Sequence, residues 1–156
     1  PGYMAPEQIR TLNSAPIDVR ADVYSLGAIL YAMLALTNPL ARLSVDEILR
    51  RTVTGELPPP SEVAPEGRNV PAALEAICMK AMALRPADRY ATVRELREDI
   101  FAFQTGYVPK AENASPLKHA GLFIGRNYLI LLVLLTVSLS VALILLAINY
   151  CRVVAE

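Results

Sequence analysis

The side chains best suited to catalysis or metal binding are few in this 156-residue chain and lie far apart in its sequence. With one histidine, His119, a site of several histidine ligands is excluded, and a Ser-His-Asp site would have to use a residue in a polar segment. The two cysteines, Cys78 and Cys151, are distant and have different sequence contexts, which favours neither a disulfide framework nor a metal cluster. These counts therefore favour neither a metal site nor a Ser-His-Asp site in this chain.

The charges of the chain balance, with 15 Lys and Arg residues against 15 Asp and Glu residues and a pI near 7.1. This balance removes the main electrostatic argument for a nucleic-acid partner. All charged side chains except Arg152 and Glu156 lie before residue 127. The apolar fraction is 54%, whereas about 45–50% is usual for a soluble domain. The sequence therefore predicts a charged segment followed by an apolar C-terminal block.

The apolar block has the length and composition of a transmembrane helix. Residues 128–148 contain 15 Leu, Ile or Val residues among 21, and no charged residue lies between Asn127 and Cys151. At about 1.5 Å per residue they form a helix of roughly 31 Å, which matches a bilayer core of about 30 Å. The alternative is a buried core helix, for which the short tail that follows offers little cover. We therefore predict that residues 128–148 span a membrane.

The flanking charges indicate how this helix is oriented. Lys110, Lys118 and Arg126 precede it, whereas Arg152 is the basic residue that follows it. Basic residues are in excess on the cytoplasmic side of transmembrane helices. We therefore expect residues 1–127 in the cytoplasm.

The residues before the block predict helices and connectors, and no alternating strand pattern. A helix over Val23–Leu36 would be about 21 Å long, too short to cross a bilayer, so we expect it to be buried on all sides in a protein core. Capping boxes at Ser44–Glu47 and Thr92–Glu95 predict two further helix starts, and Leu57–Pro60 predicts an extended connector. Residues 108–127 have no sustained period and are predicted to be a juxtamembrane linker. The predicted fold is all-α.

Three short motifs occur in a fixed order on these elements. They are Met4-Ala-Pro-Glu7, Asp22-Val-Tyr-Ser-Leu-Gly27 and Arg85-Pro-Ala-Asp-Arg-Tyr90. The set resembles the C-terminal lobe of the bacterial eukaryotic-like serine/threonine protein kinases, in which Ala-Pro-Glu closes the activation segment. In that family the second motif opens the central buried helix, and the third precedes the last helix of the lobe. The resemblance covers about residues 1–107.

The resemblance implies an all-α partial kinase C-terminal lobe followed by one transmembrane helix. The expected parts are 1–107 for the lobe with the end of the activation segment, 108–127 for the linker, 128–148 for the membrane helix and 149–156 for a short extracytoplasmic tail. Many kinases of this class carry a transmembrane helix after the kinase domain. The resemblance therefore implies a single-pass protein of the bacterial inner membrane.

The resemblance also implies roles for individual residues. The structural motif residues are Ala5, Pro6, Glu7, Asp22, Gly27 and Arg89. Glu7 is expected to form a buried ion pair with Arg89, because a planar guanidinium binds a carboxylate through two hydrogen bonds. The alternative is two unrelated solvated charges.

Two further roles follow from the same resemblance. Asp22 is expected to accept hydrogen bonds from the backbone of the catalytic loop, and the alternative is a helix N-cap or first-turn acid. The substrate-binding residues are expected to be Pro1, Gly2, Tyr3 and Met4, which correspond to the loop that receives the residue after the phosphorylated hydroxyl. Any surface turn would also explain Gly2.

Phosphoryl transfer in this family needs a glycine-rich loop, a phosphate-binding lysine, a catalytic aspartate and magnesium ligands. These parts precede the Ala-Pro-Glu motif in the family, and neither the glycine-rich loop nor the His-Arg-Asp and Asp-Phe-Gly strings occur among these 156 residues. The resemblance therefore implies no catalytic residue and no cofactor in this chain, with ATP and Mg²⁺ belonging to the complete kinase, and no phosphate transfer by the chain itself. Whether the chain is an enzyme in its own right stays open.

Two functions fit this pattern. The chain is a fragment of a membrane-anchored serine/threonine kinase, or it is a membrane-tethered helical interaction module derived from a kinase lobe. The expected partners are protein substrates or the missing upstream kinase segment, together with membrane lipid.

Overall fold

The computed structural model describes residues 2–10, 17–37, 40, 43–112 and 114–155, which form seven α-helices, one 3₁₀ turn and no strand. The all-α prediction is therefore confirmed for the described residues. The chain divides into two compact units, residues 1–114 and residues 115–156. The helices are α1 (Pro6–Arg10), α2 (Arg20–Ala35), α3 (Val45–Thr54), α4 (Pro60–Val63), α5 (Ala72–Ala81), α6 (Val93–Gln104) and α7 (Pro116–Ala155), with the 3₁₀ turn at Pro86–Asp88.

Helix α2 forms the centre of the first unit and packs against α5 and α6. Its Val23 joins a buried cluster with Ile77, Ala81, Tyr90 and Leu96. The opposite face of α2 is not covered by the described residues. It exposes apolar side chains, with exposed fractions of 39% for Leu26, 48% for Ile29 and 63% for Met33. The prediction that this helix is buried on all sides is therefore wrong for the described residues, because its neighbours pack on one side of it.

The contact between α2 and α5 depends on small side chains. A Cβ atom at position 27 would lie 2.8 Å from the Cβ of Ala81 and 2.9 Å from the Cγ of Met82, so this crossing requires Gly27. The Cys78 thiol donates to the Gly27 carbonyl at 3.4 Å. The glycine of the second motif thus has a packing role.

The capping boxes begin helices where the sequence predicts them. Ser44 and Thr92 are the N-caps of α3 and α6, and each side-chain oxygen accepts the backbone N–H three residues later at 3.3 Å. Helix α3 ends at Gly55, whose φ of 74° is in the left-handed region that glycine favours. The proline connector differs slightly from its prediction, since Pro60 begins the short α4 after an extended Pro59.

The second unit is the single long helix α7. Its backbone leaves helical geometry at Asn127, with φ −110° and ψ 16°, immediately before the predicted span 128–148. The hydroxyls of Thr136, Ser138 and Ser140 donate to carbonyls of the same helix at 2.8 Å, so the polar groups inside the apolar stretch are paired. Among the described residues, α7 is the one helix long and apolar enough to cross a membrane.

Helix α7 begins within the range 108–127, for which the sequence shows no helical period. Pro116 is the first helical residue, a position that proline tolerates, and the Ser115 hydroxyl accepts the Lys118 N–H at 3.4 Å. The part of this predicted linker from Pro116 onward is therefore helical.

Candidate functional site

The structure brings Glu7 and Arg89 into direct contact across 82 positions of sequence. Arg89 Nη1 donates to Glu7 Oε1 at 2.7 Å, and Nη2 donates to Oε2 at 2.8 Å. The Arg89 side chain is 0% exposed and that of Glu7 is 16% exposed. The pair is thus buried and bidentate, whereas two solvated charges would have been exposed and apart.

The remaining donors of Arg89 are also satisfied. Nε donates to the Ala83 carbonyl at 2.7 Å, Nη1 to the Arg20 carbonyl at 3.0 Å and Nη2 to the Leu84 carbonyl at 3.3 Å. All five guanidinium N–H groups therefore have an acceptor. The guanidinium carbon also lies 4.9 Å from the centroid of the Tyr24 ring. One side chain thus joins α1, the start of α2 and the segment after α5.

Local structure positions both partners. Glu7 lies in the first turn of α1, directly after the fully buried Pro6. The Ala5 N–H donates to Gln8 Oε1 at 2.8 Å, which holds the start of this helix. Arg89 follows the 3₁₀ turn in extended conformation, with φ −81° and ψ 177°. Burial by itself would raise the pKa of Glu7, but the hydrogen bonds and charge of Arg89 hold that pKa below its ordinary value of 4.5. The carboxylate is therefore ionised at neutral pH.

The loop before α1 presents its side chains to solvent. Tyr3 is 46% exposed and Met4 is 41% exposed, whereas Ala5 is fully buried. The Ser25 hydroxyl of α2 donates to the Tyr3 carbonyl at 2.9 Å. The predicted substrate-binding residues Gly2, Tyr3 and Met4 thus form an exposed loop beside α2, while Pro1 lies outside the described residues. Their role in substrate binding stays a prediction.

Asp22 lies in the first turn of α2 with an exposed side chain. It is not the N-cap, because Val19 occupies that position without a side-chain hydrogen bond. Asp18 instead accepts the Arg20 N–H at 2.8 Å. The N-cap alternative is therefore wrong, the first-turn position is observed, and the contact with a catalytic loop stays a prediction.

One buried acid was missed by the sequence reasoning. Asp99 is 2% exposed and accepts the Tyr90 hydroxyl at 2.9 Å and the N–H groups of Lys110 and Ala111 at 2.8 Å and 2.9 Å. We call these four residues the Asp99 cluster. The helical spacing of the sequence could have indicated this burial, because Asp99 lies three residues after Leu96 on the same face of α6.

An apolar groove of about 320 Å³ lies on the uncovered face of the first unit. Side chains of α2 and α6 line it, including Leu26, Ile29, Met33, Val93 and Ile100. Within the described ranges, no group of three or more His, Cys, Asp or Glu side chains is placed to hold a metal ion.

The buried carboxylate–guanidinium pair, the glycine-dependent helix crossing and the order of helices agree with the kinase C-terminal lobe that the three motifs resemble. No protein-family model matches the chain. The tyrosine-protein kinase MasK of Myxococcus xanthus is 38% identical over 115 residues, which are 74% of this chain and 17% of MasK. A probable serine/threonine-protein kinase PknB of Bifidobacterium longum is 37% identical over 115 residues, 74% of this chain and 16% of that kinase.

A third relative, the serine/threonine-protein kinase PknD of Chlamydia pneumoniae, is 42% identical over 101 residues, 64% of this chain and 10% of PknD. The chain is therefore related to the bacterial serine/threonine-type protein kinases and corresponds to part of their C-terminal lobe. It spans 10–17% of the length of these relatives.

Proposed function

We propose that this chain is the substrate-side part of a membrane-anchored protein kinase, which as a whole transfers phosphate from ATP to serine or threonine residues of proteins. The observation that carries this proposal is the buried bidentate pair of Glu7 and Arg89, which joins the loop at residues 2–4 to the helical unit. Two of the three relatives described above are named serine/threonine kinases and one is named a tyrosine kinase, so serine/threonine specificity is part of the proposal.

The exposed groups of the first unit support a docking partner that comes from the same kinase. Leu26, Ile29 and Met33 leave an apolar face of α2 in contact with solvent. The Asp22 carboxylate is exposed at the N-terminal end of the same helix. An apolar face with an adjacent hydrogen-bond acceptor suits a packed polypeptide segment whose backbone N–H groups reach the carboxylate. The upstream kinase segment is therefore the proposed occupant.

The proposed location is the bacterial inner membrane, with α7 as the anchor and residues 1–127 in the cytoplasm. The length and hydropathy of α7 support the anchor, and the basic residues before it support the orientation. Kinase substrates and ATP are then on the same side as the helical unit.

A phosphotransfer assay tests the proposal. The 156-residue chain in detergent is incubated with labelled ATP, Mg²⁺ and a generic protein substrate, and we expect no incorporation, because the phosphate-binding parts do not occur among these residues. A chimera in which residues 1–107 replace the matching segment of the Bifidobacterium PknB is expected to be active. Incorporation by the chain itself would overturn its inactivity, and a folded but inactive chimera would contradict the substrate-side role.

A second candidate function is a membrane-tethered interaction module without catalysis. The observation that favours it is the open apolar groove between α2 and α6. The coding sequence before Pro1 distinguishes the two candidates. An in-frame continuation with His-Arg-Asp and Asp-Phe-Gly motifs supports the kinase, whereas a start codon directly before Pro1 supports the module.

A further inference from the structure

The Ser25 hydroxyl forms a hydrogen bond to a residue outside its own helix, although a carbonyl of that helix is also within reach. A serine inside a helix commonly bonds a carbonyl one turn earlier, and Ser25 Oγ does lie 3.2 Å from the Ala21 carbonyl. The same Oγ lies closer, at 2.9 Å, to the carbonyl of Tyr3, which is 22 positions away in sequence. A hydroxyl has one proton to donate, and the shorter distance favours Tyr3 as its acceptor.

Few other contacts of the described residues hold the loop at residues 2–4, whose Tyr3 carbonyl accepts this hydrogen bond. Its C-terminal end is held, because Ala5 is fully buried and its N–H is bonded to Gln8. The Tyr3 and Met4 side chains, in contrast, are 46% and 41% exposed and contribute little packing. The conformation of residues 2–4 therefore depends on a backbone acceptor, the Tyr3 carbonyl, and on its donor in α2.

We propose that Ser25 is a positioning residue for substrate binding, whose hydroxyl holds the Tyr3 carbonyl so that Tyr3 and Met4 present a preformed apolar surface. This inference rests on the proposed function, in which the loop receives the residue that follows the phosphate-accepting hydroxyl. A preformed loop binds more tightly than a mobile one, because less conformational entropy is lost on binding. An apolar residue after the acceptor fits the exposed surface best.

The expected effect is modest because the bond is exposed to solvent. A net hydrogen bond is worth about 0.5–1.5 kcal/mol, which corresponds to a roughly 2- to 12-fold change in affinity. Ser25→Ala removes the donor, and Ser25→Thr keeps a hydroxyl at the same position. Thr54→Ala is the control, because the Thr54 hydroxyl donates to the Arg50 and Arg51 carbonyls of its own helix, at 3.0 Å and 3.3 Å, and lies in a different helix from Ser25.

The experiment uses the full chain in detergent micelles. Backbone ¹⁵N order parameters of Tyr3 and Met4 report loop mobility, and chemical-shift titration measures the Kd of a peptide with serine followed by leucine. A peptide with aspartate in place of that leucine is the comparison. For Ser25→Ala we expect order parameters that fall from about 0.8 to below about 0.6, and a Kd for the leucine peptide that rises roughly 2- to 12-fold. Ser25→Thr and Thr54→Ala are expected to match the wild type.

The outcomes separate this inference from the proposed function. If Ser25→Ala leaves both the order parameters and the Kd unchanged, Ser25 is not a positioning residue. If its Kd equals that of the wild type although the loop becomes mobile, the effect on binding is overturned and the substrate-side role stands. If the wild type binds neither peptide, the substrate-side role of the chain is wrong, and so is the proposal that Ser25 is a positioning residue for substrate binding.

Discussion

At the scale of single residues, Arg89 is a buried charge that is fully compensated. Removal of such a charge from water costs several kcal/mol, and here two bonds to Glu7 and three to backbone carbonyls offset that cost. The three carbonyls remain when Glu7 is changed, but they do not neutralise the guanidinium. The stability of the lobe should therefore respond strongly to loss of the carboxylate.

Glu7→Gln is expected to lower the free energy of unfolding by about 3–5 kcal/mol, because it leaves the buried guanidinium without its counter-ion. Urea denaturation of the full chain, followed by near-ultraviolet circular dichroism, measures this change. The control is Glu66→Gln, an exposed acid whose substitution should change stability by about 0.5 kcal/mol or less. A Glu7→Gln variant as stable as this control would contradict the role of the pair.

The same carboxylate predicts how stability depends on pH. Because the pKa of Glu7 is lower in the folded chain than its ordinary value of 4.5, its stabilising contribution is present above that value and is lost as pH falls through the folded pKa. Hydrogen bonds from Arg50 and Arg51 also lower the pKa of Glu47, to about 2. The stability of the wild type therefore depends on more than one acid below pH 4.5. The difference in unfolding free energy between wild type and Glu7→Gln should shrink as pH falls below 4.5. Urea titrations at several pH values measure it, and a constant difference would refute the prediction.

At the scale of elements, the Asp99 cluster holds the chain after α6 against the lobe. Pro109 is fully buried next to the two N–H groups that Asp99 accepts. Burial and the bond to Asp99 raise the pKa of Tyr90, so its hydroxyl keeps the proton that it donates. One carboxylate thus ties together the segment before α6 and the segment after it.

Asp99→Ala is expected to lower the free energy of unfolding by about 3 kcal/mol, since three hydrogen bonds to a buried carboxylate are lost at about 1 kcal/mol or more each. The amide hydrogens of Lys110 and Ala111 should exchange faster, which hydrogen exchange with mass spectrometry measures. Glu98→Ala serves as the control, because its ion pair with Lys110 is long, at 3.9 Å, and exposed. Unchanged exchange in Asp99→Ala would show that the segment is held by packing alone.

Gly27→Ala tests the crossing of α2 and α5. The added methyl group would lie 2.8 Å from the Cβ of Ala81, so the helices must separate, and we expect a loss of about 1–3 kcal/mol. The comparison is Gly125→Ala in α7, where no atom other than those of its chain neighbours and of its own helix backbone lies within 4 Å of the added group. Thermal melting measures both variants, and equal melting temperatures would contradict the close approach.

At the scale of the whole molecule, the chain combines a helical unit with one candidate membrane helix, and the proposal depends on which side of the membrane the unit occupies. The charges predict that residues before α7 are cytoplasmic. Buried Cys78 does not interfere with thiol labelling, because burial raises its pKa to about 12. Introduced cysteines therefore report topology in the otherwise native chain.

Glu156→Cys in a Cys151→Ser background should react with a membrane-impermeant maleimide added to spheroplasts, because the tail is predicted to lie outside the cytoplasm. Ser115→Cys in the same background should react only after lysis. Labelling is detected as an increase in the mass of the protein. The reverse pattern would place the helical unit outside the cytoplasm, where it would not meet ATP.

Local sequence patterns were sufficient for much of the fold. The capping boxes at Ser44 and Thr92 predicted the starts of α3 and α6, because a side-chain oxygen and an N–H three residues later are neighbours in sequence. The contact of Glu7 with Arg89 was expected from the motif resemblance, since no local pattern joins residues 82 positions apart. The exposed face of α2 was not predicted, because a run of apolar residues does not say which neighbours cover it.

The sequence by itself determined the helical class, the helix starts and the apolar span of α7, since these depend on propensities, caps and hydropathy within one segment. Only the tertiary structure decided which buried polar groups meet. The Asp99 carboxylate finds its partners before and after α6, and the Ser25 hydroxyl reaches the Tyr3 carbonyl through packing of α2 beside the loop. The Asp99 contacts arise because a buried polar group must be paired by whichever groups the fold brings near.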